Sequence, residues 1–306
     1  MKNAVRRVLV ALLAVCALTV FTCSKQDELG SEGDPIKMYF VPSAEVDKVL
    51  TSGSAIAEHL KEVTGYEFET AVPTHYSAVI EAMGTDEADI AWLATFSYIL
   101  AHEKHGVDVA LKTVRYGDHQ YRGQIIAQKD SGIKSLEDVN GKKIAYTDAA
   151  STSGFIYPSA LFAQMGIQPG ETFFAGGHPQ AVLAVYEGTA DVGCTYWSPP
   201  RSDGSVGDAR RAVRETYPDV AEKVVIVGFT DWIPNDTVSF REGFPAEMRD
   251  KIVTALKAYA ASETGQEVLG DLYNITGLVD ATDADYDVVR RSLEALGKPI
   301  EEFIED

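Results

Sequence analysis

Short apolar runs of strand length alternate along most of this chain with segments whose apolar residues recur every three to four positions. That is the pattern of an α/β protein with largely parallel sheets. Residues 36–41 (IKMYFV) read as a first strand, and residues 52–64 then set Ile56, Leu60 and Val63 on one helical face, with Gly65 as the stop. Residues 66–72 are a second strand, residues 74–83 a short helix with Val79, Ile80 and Met83 inward, and residues 89–94 a third strand. Later strands are expected over 124–128, 143–147, 172–175, 191–196 and 223–229. From Pro245 onward the chain reads as helical, with Met248, Ile252, Leu256 and Tyr259 at helix spacing.

The pattern repeats itself once. Residues 78–92 (AVIEAMGTDEADIAW) are echoed by residues 181–193 (AVLAVYEGTADVG): in both an apolar helix ends at Gly-Thr and leads through Ala-Asp into a strand. With 306 residues, more than one core usually holds, the echo predicts two lobes of similar build. Lobe one takes residues 36–118 and 234–306, lobe two residues 119–233, and the chain exchanges between them near 116–121 and again near 229–235.

The first residues follow a different pattern. Lys2, Arg6 and Arg7 precede an apolar run through residues 8–21, which ends at Thr22 and Cys23: residues 1–22 have the form of an export signal. Interruption by Cys16 and Thr19, and the polar stretch from Ser24, favour cleavage over a retained membrane span. Cys23 is the candidate for lipidation, with Cys16 the weaker competitor, and acylation there would hold a soluble domain at the membrane surface. Residues 23–35, polar and containing glycine, read as anchor and flexible tether.

Composition is ordinary for a globular protein, at 45% apolar and 24% charged residues, but the net charge is −19, and removing the signal's three basic residues takes it to −22. So acidic a chain argues against nucleic acid or anionic lipid as its main partner. Beyond the signal and the anchor only Cys194 remains, so no intramolecular disulfide is available, and Cys194 reads as a small buried apolar residue.

The densest local chemistry is Asp148-Ala149-Ala150-Ser151-Thr152-Ser153-Gly154-Phe155, between an expected strand and an expected helix. Free backbone N–H groups and the positive end of a helix dipole meet there, and three hydroxyls can donate to the same oxygens. The segment reads either as a site for a tetrahedral oxyanion or as a simple helix cap. Neutral dipoles in a desolvated cleft can hold an anion even though the bulk surface is negative.

Ser151-Thr152-Ser153-Gly154-Phe155 with Pro158 resembles the STSGF-x-x-P signature of the phosphate, phosphite and phosphonate binding proteins of ABC importers. Residues 75–81 (HYSAVIE) and 89–92 (DIAW), Gln120-Tyr121, Gly177-His178, residues 188–192 and Ile233-Pro234-Asn235-Asp236 follow in the family's order. The resemblance implies a type II periplasmic binding fold, two lobes with mostly parallel sheets flanked by helices and a cleft between them. It implies hinge closure around a small anionic ligand, no enzymatic activity, no cofactor or metal, and partnership with an ABC permease and ATPase subunits. A monomer in the periplasm or on the outer face of the cytoplasmic membrane is expected. Ligand oxygens would be held by Ser151, Thr152, Ser153 and His178, with Tyr76, Thr95, Tyr121 and Asp236 facing them.

One departure bears on the ligand. Family members that bind aminoalkylphosphonates place a carboxylate after the strand equivalent to residues 191–196, where this chain reads Thr195-Tyr196-Trp197-Ser198-Pro199-Pro200 with no acid before Asp203. A compact ligand is therefore expected: phosphite, phosphate or methylphosphonate. Trp197, ending its strand, is the better tryptophan for a cleft wall, and Arg201 reads as solvated. Three rivals remain in view: another solute such as a sulfonate, a thiamine-precursor pyrimidine or another vitamin; a hydrolase, although Gly-x-Ser-x-Gly is absent; and a metal importer using His102 and His105.

Overall fold

The computed structural model describes residues 28–201 and 204–294, so the expected signal, Cys23 and Asp203 lie outside the described residues. The strands are β1 (Ile36–Phe40), β2 (Phe68–Ala71), β3 (Ile90–Leu93), β4 (Asp108–Arg115), β5 (Gln120–Gln128), β6 (Ile144–Tyr146), β7 (Thr172–Phe174), β8 (Val192–Trp197), β9 (Val224–Pro234), β10 (Thr237–Phe240) and β11 (Ile275–Asp280). The helices used below are α1 (Val46–Thr64), α2 (Tyr76–Gly84), α3 (Thr95–His105), α4 (Tyr157–Met165), α5 (His178–Tyr186), α6 (Ala246–Ala261), α7 (Glu263–Tyr273) and α8 (Asp287–Glu294).

One sheet runs β11-β4-β10-β3-β1-β2 and the other β7-β6-β8-β5-β9. Parallel pairing holds where strand, helix and strand follow one another: β1 with β2 and β3, and β6 with β7 and β8. The expectation of mostly parallel sheets fails elsewhere, because β10, β4 and β11, and likewise β5 between β8 and β9, pair antiparallel. These are the strands that carry the chain between sheets or return it, and a short return reverses direction where a helical crossover preserves it. Strands β4, β10 and β11 have no counterpart in the sequence reading, and α1 begins six residues earlier than expected, at Val46.

The internal echo is physically real. Asp89 precedes β3, and its carboxylate accepts from Lys37 N at 2.9 Å while its N–H donates to Lys37 O at 2.9 Å. Asp191 repeats both bonds with Lys143, at 2.9 and 3.0 Å, before β8. In each half an acid thus locks the helix-to-strand junction onto the neighbouring strand, and the preceding helix, α2 or α5, is left with its N-terminus at the space between the sheets. Val79, Ile80 and Met83 of α2 are buried, each contributing about 1.5–3 kcal/mol relative to exposure.

The chain crosses between sheets twice, side by side. Gln120 pairs with Pro234 at the ends of β5 and β9, and buried Asn235 donates through Nδ2 to Thr113 O at 2.9 Å and Asp118 O at 2.8 Å. Tyr116 and Gly117, both at positive φ, make the tight turn between β4 and β5.

Residues 28–35 correct the expectation of a tether there. Gly30 N donates to Asp34 O at 2.7 Å, Glu67 N donates to Gly30 O at 2.8 Å, and Leu29 packs against the core of the first sheet. A polar composition concealed one apolar anchor.

Candidate ligand-binding cleft

Between the sheets lies a cavity of about 90 Å³. It is several times the ~15 Å³ one water needs and far below the ~300–1,000 Å³ of a drug-sized site. Each sheet supplies one wall.

On the second sheet's side, residues 151–156 form a wide turn leading directly into α4. Ile156 N donates to Ser151 O at 3.1 Å, a five-residue step, and Gly154 N donates to Ser151 Oγ at 3.2 Å. The turn leaves the N–H groups of Thr152 and Ser153 without an acceptor among the described residues. Gly154 is required for space, since a Cβ there would collide with Thr147 Oγ1. Ser151, Ser153, His178, Tyr196 and Ser198 line the cavity from this side. His178 begins α5, and its Nδ1 lies 3.1 Å from Thr147 Oγ1, which is also 3.0 Å from Cys194 O. Burial, helped by the Arg115 charge, lowers His178 to about 3, so the ring is neutral.

The first sheet's side and the crossings contribute Tyr76, Arg115, Tyr121, Asp236 and Tyr273. Arg115 ends β4 and forms an ion pair with Asp236 through Nη2 and Oδ2, and its guanidinium lies over the Tyr121 ring, 5.5 Å from the centroid. Burial pushes the Tyr121 phenol up and Asp236 adds to it, against opposing effects of Arg115, Ser153 and Thr152. Arg211 also lines the cavity, beyond the 199–208 insert.

Five polar atoms on this lining are buried without a partner among the described residues: Tyr76 Oη, Arg115 Nε, Arg211 Nη1, Asp236 Oδ1 and Asn274 Oδ1. Buried polar groups are rarely left so, and three of these five can donate. The lining is therefore organised for a small ligand rich in acceptors, with Asp236 Oδ1, Asn274 Oδ1 and His178 available to accept.

Six of the eight expected site residues meet here: Tyr76, Tyr121, Ser151, Ser153, His178 and Asp236. Thr95 and Thr152 do not line the cavity. Thr95 Oγ1 donates to Pro234 O at 2.6 Å, and Thr152 Oγ1 accepts from Phe96 N at 2.8 Å. That second bond belongs to a seam between the walls, with Ser97 Oγ donating to Ala150 O at 3.0 Å and Tyr76 N reaching Asp148 Oδ2 at 3.5 Å. Helices α2 and α3 carry no side-chain cap of their own, so the loop from the other sheet caps them.

Trp197 corrects the reading of a cleft wall: it turns away onto Phe229 and Trp232, at ring separations of 5.5 and 6.4 Å, and Tyr196 faces the cavity in its place. Alternation along β8 puts neighbours on opposite faces. Arg115 was missed with its strand, although Val109, Leu111, Thr113 and Arg115 alternate with Lys112 and Val114 and so share one face. His102 and His105 serve separate partners, Val107 O at 2.8 Å and Glu81 at 3.3 Å, and no cluster of three metal-ligating side chains occurs among the described residues. No helix among them is long and apolar enough to cross a membrane.

The chain is similar to the phosphate-import protein PhnD of Mycolicibacterium smegmatis, at 28% identity over 94% of this chain and 96% of that protein. It shares its fold with a binding-protein component of an ABC phosphonate transporter from Pseudomonas aeruginosa, with a TM-score of 0.74, 22% identity, and 84% and 85% of the two chains covered. The same holds for PhnD1 of Prochlorococcus marinus, solved with methylphosphonate, with a TM-score of 0.74, 14% identity, and 86% and 98% covered. The family model described as "ABC transporter, phosphonate, periplasmic substrate-binding protein" matches residues 38–286, and the chain belongs to that family of substrate-binding proteins.

Proposed function

We propose that the cleft captures a compact phosphorus oxyanion, phosphate, phosphite or a small alkylphosphonate, and presents it to an ABC permease driven by separate ATPase subunits. The observation that carries this is the convergence of unpartnered buried donors on Tyr76, Arg115 and Arg211 with the hydroxyls of Ser151 and Ser153 around one small cavity. Charged donors in a desolvated site make the strongest hydrogen bonds an oxyanion can accept. The names of the relatives, a phosphate importer and a methylphosphonate complex, support the same ligand class. Asp236 supports a ligand without an amine, because Arg115 already neutralises it and residues 195–200 supply no second acid.

The lobes are residues 36–118 with 234–306 and residues 119–233, and they close about the paired crossings. Thr152 acts at that closure, while Thr95 braces the crossing at Pro234 from within the first lobe. Binding, not turnover, is the role of the hydroxyls: His178 Nδ1 is engaged by Thr147, so it activates no serine from that nitrogen. The protein works as a monomer in the periplasm or on the outer face of the cytoplasmic membrane, held by lipid on Cys23; Cys23→Ala is expected to release it from membranes.

A thermal-shift panel of phosphate, phosphite, methylphosphonate, aminoethylphosphonate, sulfate and a thiamine-precursor pyrimidine tests the ligand class. A ligand at 100 times its Kd stabilises by about 2.7 kcal/mol, readily seen in a melt. No shift with any phosphorus oxyanion, from protein shown free of ligand, overturns the proposal. A larger shift with sulfate or the pyrimidine replaces it.

A further inference from the structure

His178 holds more information than its place on the lining. The hydroxyl of Thr147 carries a single hydrogen and lies within bonding distance of two groups, Cys194 O at 3.0 Å and His178 Nδ1 at 3.1 Å. A carbonyl oxygen can only accept, so the Thr147 hydrogen goes to Cys194 O. Thr147 Oγ1 then accepts, and Nδ1 must carry the ring's proton. In a neutral imidazole that leaves Nε2 as a bare acceptor. Nε2 has no hydrogen-bond partner among the described residues, and His178 lines the cavity. Thr147 is fully buried, and Tyr196 fixes the ring edge-on at 4.9 Å between centroids.

We propose that Thr147, acting through His178, makes the cleft selective for an oxyanion that brings an acid hydrogen of its own. The inference rests on the oxyanion reading above and narrows it to a protonation state. A bare acceptor facing a fully ionised oxygen is repelled; facing a P–OH group it receives a hydrogen bond. One proton then lies between the ligand oxygen and Nε2, supplied by the ligand, and none is taken from solvent. The surroundings keep the ring from charging first. Arg115 from β4 repels an imidazolium, and Asp236, which would favour one, is already paired with Arg115. Tyr76 from α2, Tyr121 from β5, Tyr196 from β8, Tyr273 from α7 and Arg211 after the insert also line the cavity, and none of them is an anion at neutral pH; Glu45, Lys48 and Asp271 complete its titratable groups. Asp236 Oδ1 and Asn274 Oδ1 are other buried acceptors on the lining, so the test must separate them from His178.

Methanesulfonate and the methylphosphonate monoanion share charge and shape and differ by that hydrogen, as do sulfate and monohydrogen phosphate. Calorimetric titration of the wild type at pH 6 is expected to give methylphosphonate at least a hundredfold tighter than methanesulfonate, since sites that hydrogen-bond a particular hydrogen reject analogues lacking it. Methylphosphonate affinity is expected to stay level with rising pH up to the ligand's second pKa and to fall tenfold per unit above it. Thr147→Val, near in shape but without the hydroxyl, frees the ring to carry its proton on Nε2; the preference should narrow at least tenfold and the alkaline fall should soften. Thr147→Ser should restore both. Methanesulfonate binding within threefold of methylphosphonate in the wild type overturns the proposal and leaves the oxyanion reading standing, as does affinity that holds above the second pKa. A Thr147→Val protein with wild-type preference and pH profile also overturns it, placing the acceptor away from His178, at Asp236 or Asn274. Absence of binding by methylphosphonate and phosphate alike removes the oxyanion reading and this inference together.

Discussion

The two walls of the cleft solve the same electrostatic problem in opposite ways. The second sheet offers neutral groups, the Ser151 and Ser153 hydroxyls, the free N–H groups of the wide turn and an uncharged His178, drawn mostly from one short stretch. The first sheet and the crossings offer charge, Arg115 held against Asp236, from residues far apart in sequence. Neutral dipoles can be buried at little cost while no ligand is present; a lone guanidinium cannot, and Asp236 offsets its desolvation. Their pairing leaves Arg115 Nε and Asp236 Oδ1 buried without a partner among the described residues. Neither wall alone surrounds the cavity, which is why the proposed capture couples binding to closure. Charge on one side also fits the proposed capture of an anion by a strongly acidic protein, because a guanidinium at contact distance is not screened by salt.

The sharpest way to break this contrast is to discharge the first wall. Arg115→Ala removes the cavity's charged donor and strands Asp236 as a buried carboxylate. Truncating one member of a buried charged pair costs about 2–5 kcal/mol, so affinity should fall by one to four decades in calorimetry and the melting temperature should drop. Pairing it with Asp236→Asn should recover the melting temperature but not the affinity. Recovery of both would mean that Arg115 serves Asp236 alone.

Stripping hydroxyls from the second wall should cost less per residue. Ser151→Ala and Ser153→Ala each remove one hydrogen bond to a charged ligand, about 1.5–3 kcal/mol, or roughly ten- to a hundredfold in Kd. Ser153→Ala should leave the melt of the ligand-free protein unchanged. Ser151→Ala should lower it by about 1 kcal/mol, since Ser151 Oγ also accepts from Gly154 N.

The same contrast decided what could be read from the sequence. The second wall was legible because strand, hydroxyl turn, glycine and helix are contiguous, and backbone physics fixes what they do. The echo was legible because Asp89 and Asp191 perform one local task twice. The first wall was half legible: the resemblance supplied Tyr76 and Asp236, but Arg115 lies on a strand whose partners β10 and β11 come more than a hundred residues later. Nothing local announces that pairing. Tyr196 and Trp197 were exchanged for a smaller reason, a one-residue step along β8 that reverses the face.

His178 links the walls to pH. Its folded pKa of about 3 lies below the unfolded 6.5, so the stability it confers is fully present above pH 6.5 and is lost as pH falls towards 3. Comparing denaturant unfolding of the ligand-free wild type and His178→Gln between pH 7 and pH 4, the wild type should lose up to about 1.4 kcal/mol more per pH unit. Parallel curves would show that the ring charges in place without cost.

The smallest expected effect concerns the seam. Thr152 Oγ1 accepts from Phe96 N, and Ala150 O accepts from Ser97 Oγ, and both bonds join the two walls. In an open form water serves all these groups, so removing one bond penalises closure alone, and an affinity measured through the closed form falls by the lost fraction of that form. Thr152→Val removes the side-chain acceptor of the Phe96 N–H and Ser97→Ala the donor to the Ala150 carbonyl, each costing about 1 kcal/mol, or roughly fivefold in Kd. Because Thr152 and Ser97 stand behind the lining, the same factor should appear for phosphate, phosphite and methylphosphonate. Small-angle scattering should show a larger mean radius for both variants at limiting ligand and wild-type dimensions at saturation. A loss that varies with the ligand would move Thr152 from the seam to the site, while Ser97, farther from the ligand, would still report closure.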